Sequence, residues 1–191
     1  AIYNIDKNLK IQGTIGTDIN DMNFQDYIAR TTPGKSAGQL QESVFKNRTL
    51  NAEILALYNN QFGSFDVNAT LGGNIFRVDN KTTIFTGLGE QMPGVIAIMN
   101  YQEQSVQQNT YKKQINSIYG SASIGYDHTY YLEGTVRGDK SSTLPTSNNT
   151  YIYPSVSASW VFSEYLKNKN IINYGKFRAS WAKVGSDTDP Y

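Results

Sequence analysis

The sequence predicts an all-β fold: about seven to eight antiparallel strands forming part of the wall of a transmembrane β-barrel. Three observations carry this. Apolar and polar residues alternate with period two along most of the chain. Tight turns alternate with long connections. The 191 residues include 14 Tyr and 16 Gly, no Cys, and only 17% charged side chains.

A partial strand is predicted at residues 1–5, followed by the short turn Asp6–Asn8. In the next strand, near 8–20, Leu9, Ile11, Gly13 and Ile15 oppose Lys10, Gln12, Thr14 and Asp18. A long connection is expected over about Asn20–Arg48. Near 48–59, Leu50, Ala52, Ile54, Ala56 and Tyr58 share a face opposite Asn51, Glu53 and Asn59, although Leu55 and Leu57 interrupt the polar face. After the short turn Asn59–Ser64, a strand near 63–78 sets Phe65, Val67, Ala69, Leu71 and Ile75 against Asp66, Asn68, Thr70 and Asn74.

A second long connection is expected at about Val78–Tyr111. Near 112–126, Ile118, Gly120, Ala122, Ile124 and Tyr126 oppose Ser117, Ser121 and Ser123. The turn Asp127–Thr129 leads to a strand near 129–140, with Tyr130, Leu132, Gly134 and Val136 on one face. Glu133, Thr135, Arg137 and Asp139 occupy the other. A third long connection, Lys140–Thr150, precedes a strand near 150–163. There Val156, Ala158, Trp160 and Phe162 alternate with Ser155, Ser157 and Ser159. After Ser163–Asn173, a last strand near 173–185 opposes Phe177, Ala179 and Trp181 to Lys176, Arg178 and Ser180. Side chains of successive strand residues point to opposite faces, so each segment has one apolar and one polar ribbon.

A soluble sandwich and a membrane barrel both produce such ribbons. The connections favour the barrel, because outer-membrane barrels combine short periplasmic turns with long external loops. Structureless loops of about 30 residues are uncommon in compact soluble domains. Gly120, Ala122 and Gly134 on the apolar face would fill a close-packed core poorly, whereas lipid fills the space beside them. Tyr58, Phe62, Phe65, Tyr126 and Tyr130 gather beside short turns, as an interfacial aromatic girdle does. Val156, Ala158, Trp160, Phe162, Phe177 and Trp181 are therefore expected to face outer-membrane lipid, with the serines toward a wet lumen.

Charge and residue usage exclude several functions. Seventeen Lys+Arg against 16 Asp+Glu give a formal charge of +1, so no basic field exists for nucleic acid. Without Cys, disulfides and thiolate metal sites are excluded. His128 is the sole histidine and reads as a turn former, so an enzyme with a nucleophile and an imidazole base is not expected. Asp187 and Asp189 have the spacing that begins a calcium loop, but no distal Glu follows; neither a metal nor a cofactor is predicted. The segment "AIYNIDKNLK" lacks the plan of a signal peptide, which implies removal of one or a start within a longer protein.

From "YLEGTVRGDKSSTLP" through "IYPSVSASWVFSEYL" to "YGKFRASWAKVGSDTDPY", the chain resembles the SusC/RagA family of TonB-dependent outer-membrane transporters. The matching residues are Arg137, Asp139, Ser141 and Ser142, then Tyr153-Pro154-Ser155, Trp160 and Ser163-Glu164. Phe177-Arg178-Ala179-Ser180-Trp181 and Gly185-x-Asp187 follow. They span about Tyr131–Tyr191, while the first 130 residues agree in architecture only. Ala182 and Ser186 stand where the family often has glycine and asparagine.

The resemblance implies that residues 1–191 belong to one barrel domain of about 22 strands closed around a plug. It implies import of a glycan or oligopeptide, a SusD-like surface lipoprotein as lid, and energy from TonB through a plug lying outside this chain. A small eight-stranded barrel serving as adhesin or anchor is the alternative. Candidate substrate contacts in lumen or loops are Phe85, Tyr101, Tyr111, Arg137, Asp139, Tyr151 and Tyr153. The wider lumen set adds Glu53, Asp66, Asn68, Asn74, Glu133, Lys176 and Arg178.

Overall fold

A computed structural model of the chain describes residues 1–34, 37–166 and 173–185. Eight strands lie side by side in chain order: β1 (Ile2–Asn4), β2 (Leu9–Ile28), β3 (Gln39–Phe62), β4 (Phe65–Glu90), β5 (Tyr101–Tyr126), β6 (Tyr130–Ser141), β7 (Thr150–Trp160) and β8 (Phe177–Ala182). Each neighbouring pair is antiparallel. Among the described residues β1 and β8 do not pair, so the sheet is open at both edges. The self-closing eight-stranded barrel requires that pairing.

The turns follow from local chemistry. At β1–β2, Asp6 Oδ1 accepts the N–H groups of Asn8 (2.6 Å) and Leu9 (2.9 Å), a side chain standing in for the backbone. Between β3 and β4 only Gly63 and Ser64 separate the Phe62↔Phe65 pair, and Gly63 takes the positive φ of +59° that so tight a hairpin demands. At β5–β6, Asp127 and His128 both adopt φ of +50°, and the Thr129 N–H closes the turn on the Tyr126 carbonyl at 3.0 Å.

Of the three connections expected to be long loops, two are shorter than the sequence suggested. β2 runs on to Ile28 and β3 begins at Gln39, so much of 20–48 is strand. β4 continues to Glu90 and β5 begins at Tyr101, which converts most of 78–111 into ladder. In "QEQSVQQNTYKKQ" polar residues fall on both faces, so period two is lost although the backbone stays extended. Such a segment is held by its ladder, not by an amphipathic face, and β4 and β5 pair without a break from Phe65↔Tyr126 to Leu88↔Glu103. Only the connection between β6 and β7 falls close to the expected bounds.

β7 also ends earlier than expected, at Trp160. Phe162 starts a 3₁₀ turn, Phe162–Tyr165, and packs edge-on against Trp160 with ring centroids 6.0 Å apart. Phe162 is therefore not part of the strand's alternating apolar ribbon. Pro154 sits within β7 at a place that tolerates it. Its carbonyl accepts the Lys183 N–H at 3.0 Å, on the side where the β7–β8 ladder stops after Ser155↔Ala182. Ser186, Asp187 and Asp189 lie outside the described residues.

Register fixes the two faces across the whole sheet. From β1 to β8, one face carries Tyr3, Ile11, Ile54, Leu71, Ile124, Leu132, Val156 and Trp181. Large aliphatic residues on it stand open, with Ile15 77% and Ile118 71% exposed. The other face carries mostly hydroxyl, amide and charged side chains. Rings close one end of the apolar face: Phe65 beside Tyr126 at 4.8 Å, and Tyr130 stacked on Trp160 at 6.5 Å. This matches the sequence reading of an aromatic row beside the short turns.

Candidate functional site: the polar wall

The polar face holds a connected group at the height of β3, β5 and β6. Gly72 of β4 is directly opposite Tyr119 of β5. A Cβ at Gly72 would stand 2.4 Å from the Tyr119 ring and 2.8 Å from Leu55 Cδ2, so the glycine gives the ring its place. Lying over Gly72, the ring sends its hydroxyl to Glu53 of β3, to which it donates. The Arg137 guanidinium covers the same ring at 5.4 Å from its centroid. Arg137 donates through Nη2 to Ser117 Oγ at 3.0 Å and through Nε to Asp139 Oδ1 at 2.8 Å. Ser117 is 3% exposed at the base of this group. Nearby, Asn74 Nδ2 donates to Asn51 Oδ1 at 2.6 Å and extends the polar surface across β3 and β4.

Of the candidate contacts, Arg137, Asp139, Tyr151 and Tyr153 are brought together. Tyr153 pairs with Arg137, Tyr151 pairs with Asp139, and the two tyrosine rings stack at 6.5 Å with a 10° interplanar angle. The wall thus offers a fixed guanidinium, carboxylates and flat rings side by side. Such a surface suits a ligand rich in hydrogen-bonding groups, such as a peptide backbone or a sugar. Tyr111 lies on the same face, in β5 rather than a loop. Glu53 and Asn74 of the wider set belong to the group, while Lys176 Nζ lies lower, 5.2 Å from the centroid of the Tyr131 ring.

Phe85 and Tyr101 depart from the expectation. Phe85 lies in β4, and its pairing with Val106 puts it on the apolar side of the register, away from Arg137. Tyr101 begins β5 and is 1% exposed, so it presents no surface to a ligand. It packs where a Cβ on Gly87 would come within 2.6 Å of its ring. His128 is a turn residue, as the sequence reading has it, with Nδ1 3.4 Å from Asp66 Oδ2.

Sequence reasoning missed Tyr119, and it missed a second cluster at the far end of the long hairpins. There Glu90, 3% exposed, accepts the Tyr27 hydroxyl at 2.9 Å, the Arg30 N–H at 3.1 Å and the Gly94 N–H at 2.9 Å. Burial acts to raise its carboxyl pKa, but these donors and the Arg30 charge outweigh it and hold the value below normal. Asn100 fastens the connecting segment by accepting the Met92 N–H and donating to the Met92 and Val95 carbonyls. The only sequence signal for Tyr119 was the glycine pair Gly72-Gly73 inside a strand, a mark of close approach.

No protein-family model and no curated protein sequence matches the chain. Solved structures do. A structure of the RagAB peptide transporter superposes with a TM-score of 0.82 at 15% identity, covering 93% of this chain and 21% of that one. The RagAB peptide importer gives 0.83 in its "closed-closed" state, at 15% identity over 95% of this chain and 21% of that one. In its "open-open" state it gives 0.82, at 15% identity over 94% and 20%. The chain spans about a fifth of the length of those chains, and its fold is that of a barrel segment within them.

Proposed function

We propose that this chain is part of the barrel wall of an outer-membrane importer, with its apolar face against lipid and its polar face lining the substrate path. The observation that carries this reading is the sorting of residues by register. From β2 to β7 one face stays apolar over a height of about ten residues per strand, the length that crosses a bilayer at the usual tilt. An exposed apolar face of that size has no stable place in water. Val156, Ala158, Trp160, Phe177 and Trp181 meet the acyl chains, and Phe162 lies at the aromatic border. The likeness to the RagAB structures supports the barrel setting.

On this reading the cargo is an oligopeptide or glycan, taken up without covalent chemistry. Arg137, Asp139, Tyr151 and Tyr153, joined by Tyr119 and Glu53, form a contact patch on the path, with Tyr111 above it. A SusD-like lipoprotein covers the outer mouth, and TonB drives transport through a plug contributed by residues outside this chain.

The test is uptake of labelled oligopeptides and oligosaccharides by cells carrying the full-length protein with Arg137→Gln or Tyr153→Ala. Reduced uptake of one class with normal surface abundance supports the reading. Unchanged uptake of every class by both variants removes the patch from the path.

A further inference from the structure

We infer that the apolar face carries a binding site for the phosphate groups of membrane lipids, at the end of the band away from the aromatic row. The inference rests on the membrane reading above. Just beyond the last apolar rungs, the same face turns basic: Lys46 and Arg48 on β3, Arg77 and Lys81 on β4, Lys112 on β5 and Lys140 on β6. The acids in these rows are Asp21, opposite Lys46, and Asp79. Asp79 is taken by Lys112 at 3.4 Å. Among the described residues no salt bridge engages Lys46, Arg48, Arg77, Lys81 or Lys140, and all five are exposed.

Two features point to a ligand rather than a solvated rim. First, Lys46 and Lys81 are direct cross-strand partners. Like charges in that relation repel and weaken a ladder unless an anion lies between them. Second, the apolar surface directly below is shaped. Gly13, Ile54, Gly73, Ile118, Gly138 and Ile152 form one continuous row across β2 to β7, glycine and isoleucine in turn. This row runs through an open trough of about 1330 Å³ that reaches up to Lys140. Furrows left by the glycines seat acyl chains, while the cations above meet the phosphates. A free phosphate would use the cations alone, whereas an acyl-linked phosphate uses both. The opposite end of the band carries rings in place of cations, so the site belongs to the leaflet on the side of the long hairpins.

The test uses the full-length protein in phosphatidylcholine nanodiscs doped with bisphosphorylated lipid A, its dephosphorylated form, or phosphatidylglycerol. Retained lipid is counted by native mass spectrometry. Wild type is expected to retain phosphorylated lipids about tenfold or more above the dephosphorylated form. Lys46→Gln/Arg48→Gln/Lys81→Gln is expected to lose that preference, and it relieves a repulsion, so folding is not at risk. Equal retention of all lipids by wild type, or an unchanged preference in the variant, overturns the site. Displacement of the lipid by millimolar inorganic phosphate overturns the lipid as ligand. Brominated phosphatidylcholine separates the two readings, since it should quench the Trp160 signal, taken as wild type minus Trp160→Phe. Quenching without phosphate preference sinks the lipid site only. Absence of quenching sinks the membrane face and the site with it.

Discussion

Glu90 shows how one carboxylate can join two hairpins. Its three donors come from β2, from the connection after β2 and from the connection after β4. Because its pKa is lowered on folding, its stabilising contribution is fully present above the ordinary glutamate value near 4.3 and is lost as pH falls through the depressed value. Glu90→Gln should therefore lower hydrogen-exchange protection of the Arg30 and Gly94 amides at pH 7. That deficit should shrink as pH falls through the depressed value, where wild type loses the same charge; a deficit unchanged across that fall would remove charge from the account. Gly72 permits a second test. Gly72→Ala puts a methyl into the Tyr119 ring and should cost about 1–3 kcal/mol by overpacking. Gly134→Ala, where a Cβ meets nothing within 4 Å, is the control. Equal denaturation midpoints for the two variants would show that the ring yields freely. Glu90 did not stand out in the sequence, and Gly72 did so only as half of a glycine pair, because Tyr27 and Tyr119 lie 63 and 47 positions from them along the chain.

Within the apolar band, the strands and their faces were legible in the sequence. Alternation there is enforced by different surroundings on the two sides, and a one-residue slip would turn every side chain to the wrong one. The lengths of β2 to β5 were not legible. Beyond Arg48, Arg77 and Lys112 polar residues fall on both faces, so period two vanishes while the ladder continues on to Gln39↔Leu88 and Leu88↔Glu103. The candidate contacts divide along the same line. Arg137, Asp139, Tyr151 and Tyr153 lie where alternation is strong, and register sets them side by side, although nothing in the sequence signalled that the two tyrosines flank the charged pair. Phe85 and Tyr101 lie in the stretch where alternation fails. β7 allows the face assignment to be tested directly. Val156→Arg near the midplane should impair assembly by roughly 2–4 kcal/mol, while Ser157→Arg should be tolerated on the wet side. Refolding yields into lipid vesicles measure both, and equal yields would sink the assignment.

For the whole molecule the decisive fact is the pair of free edges. The outer sides of β1 and β8 present backbone N–H and C=O groups with no strand beside them among the described residues. In water such an edge invites aggregation; in hydrocarbon each unsatisfied group costs several kcal/mol, which is why membrane sheets close. Closure by β1 meeting β8 would pair three residues with six, too little ladder to seal a wall whose central strands run to 26 residues. Other strands are therefore expected to flank this sheet. The sheet superposes on about a fifth of each RagAB chain. An immunoblot of an outer-membrane fraction should show this segment in a polypeptide at least roughly three times the 21.3 kDa of the chain, as a barrel of about 22 strands requires. Boiling should slow its migration, as unfolding does for a closed barrel. A band no heavier than the chain itself would mean that the edges are sealed by other copies or by each other, and the importer reading would fall.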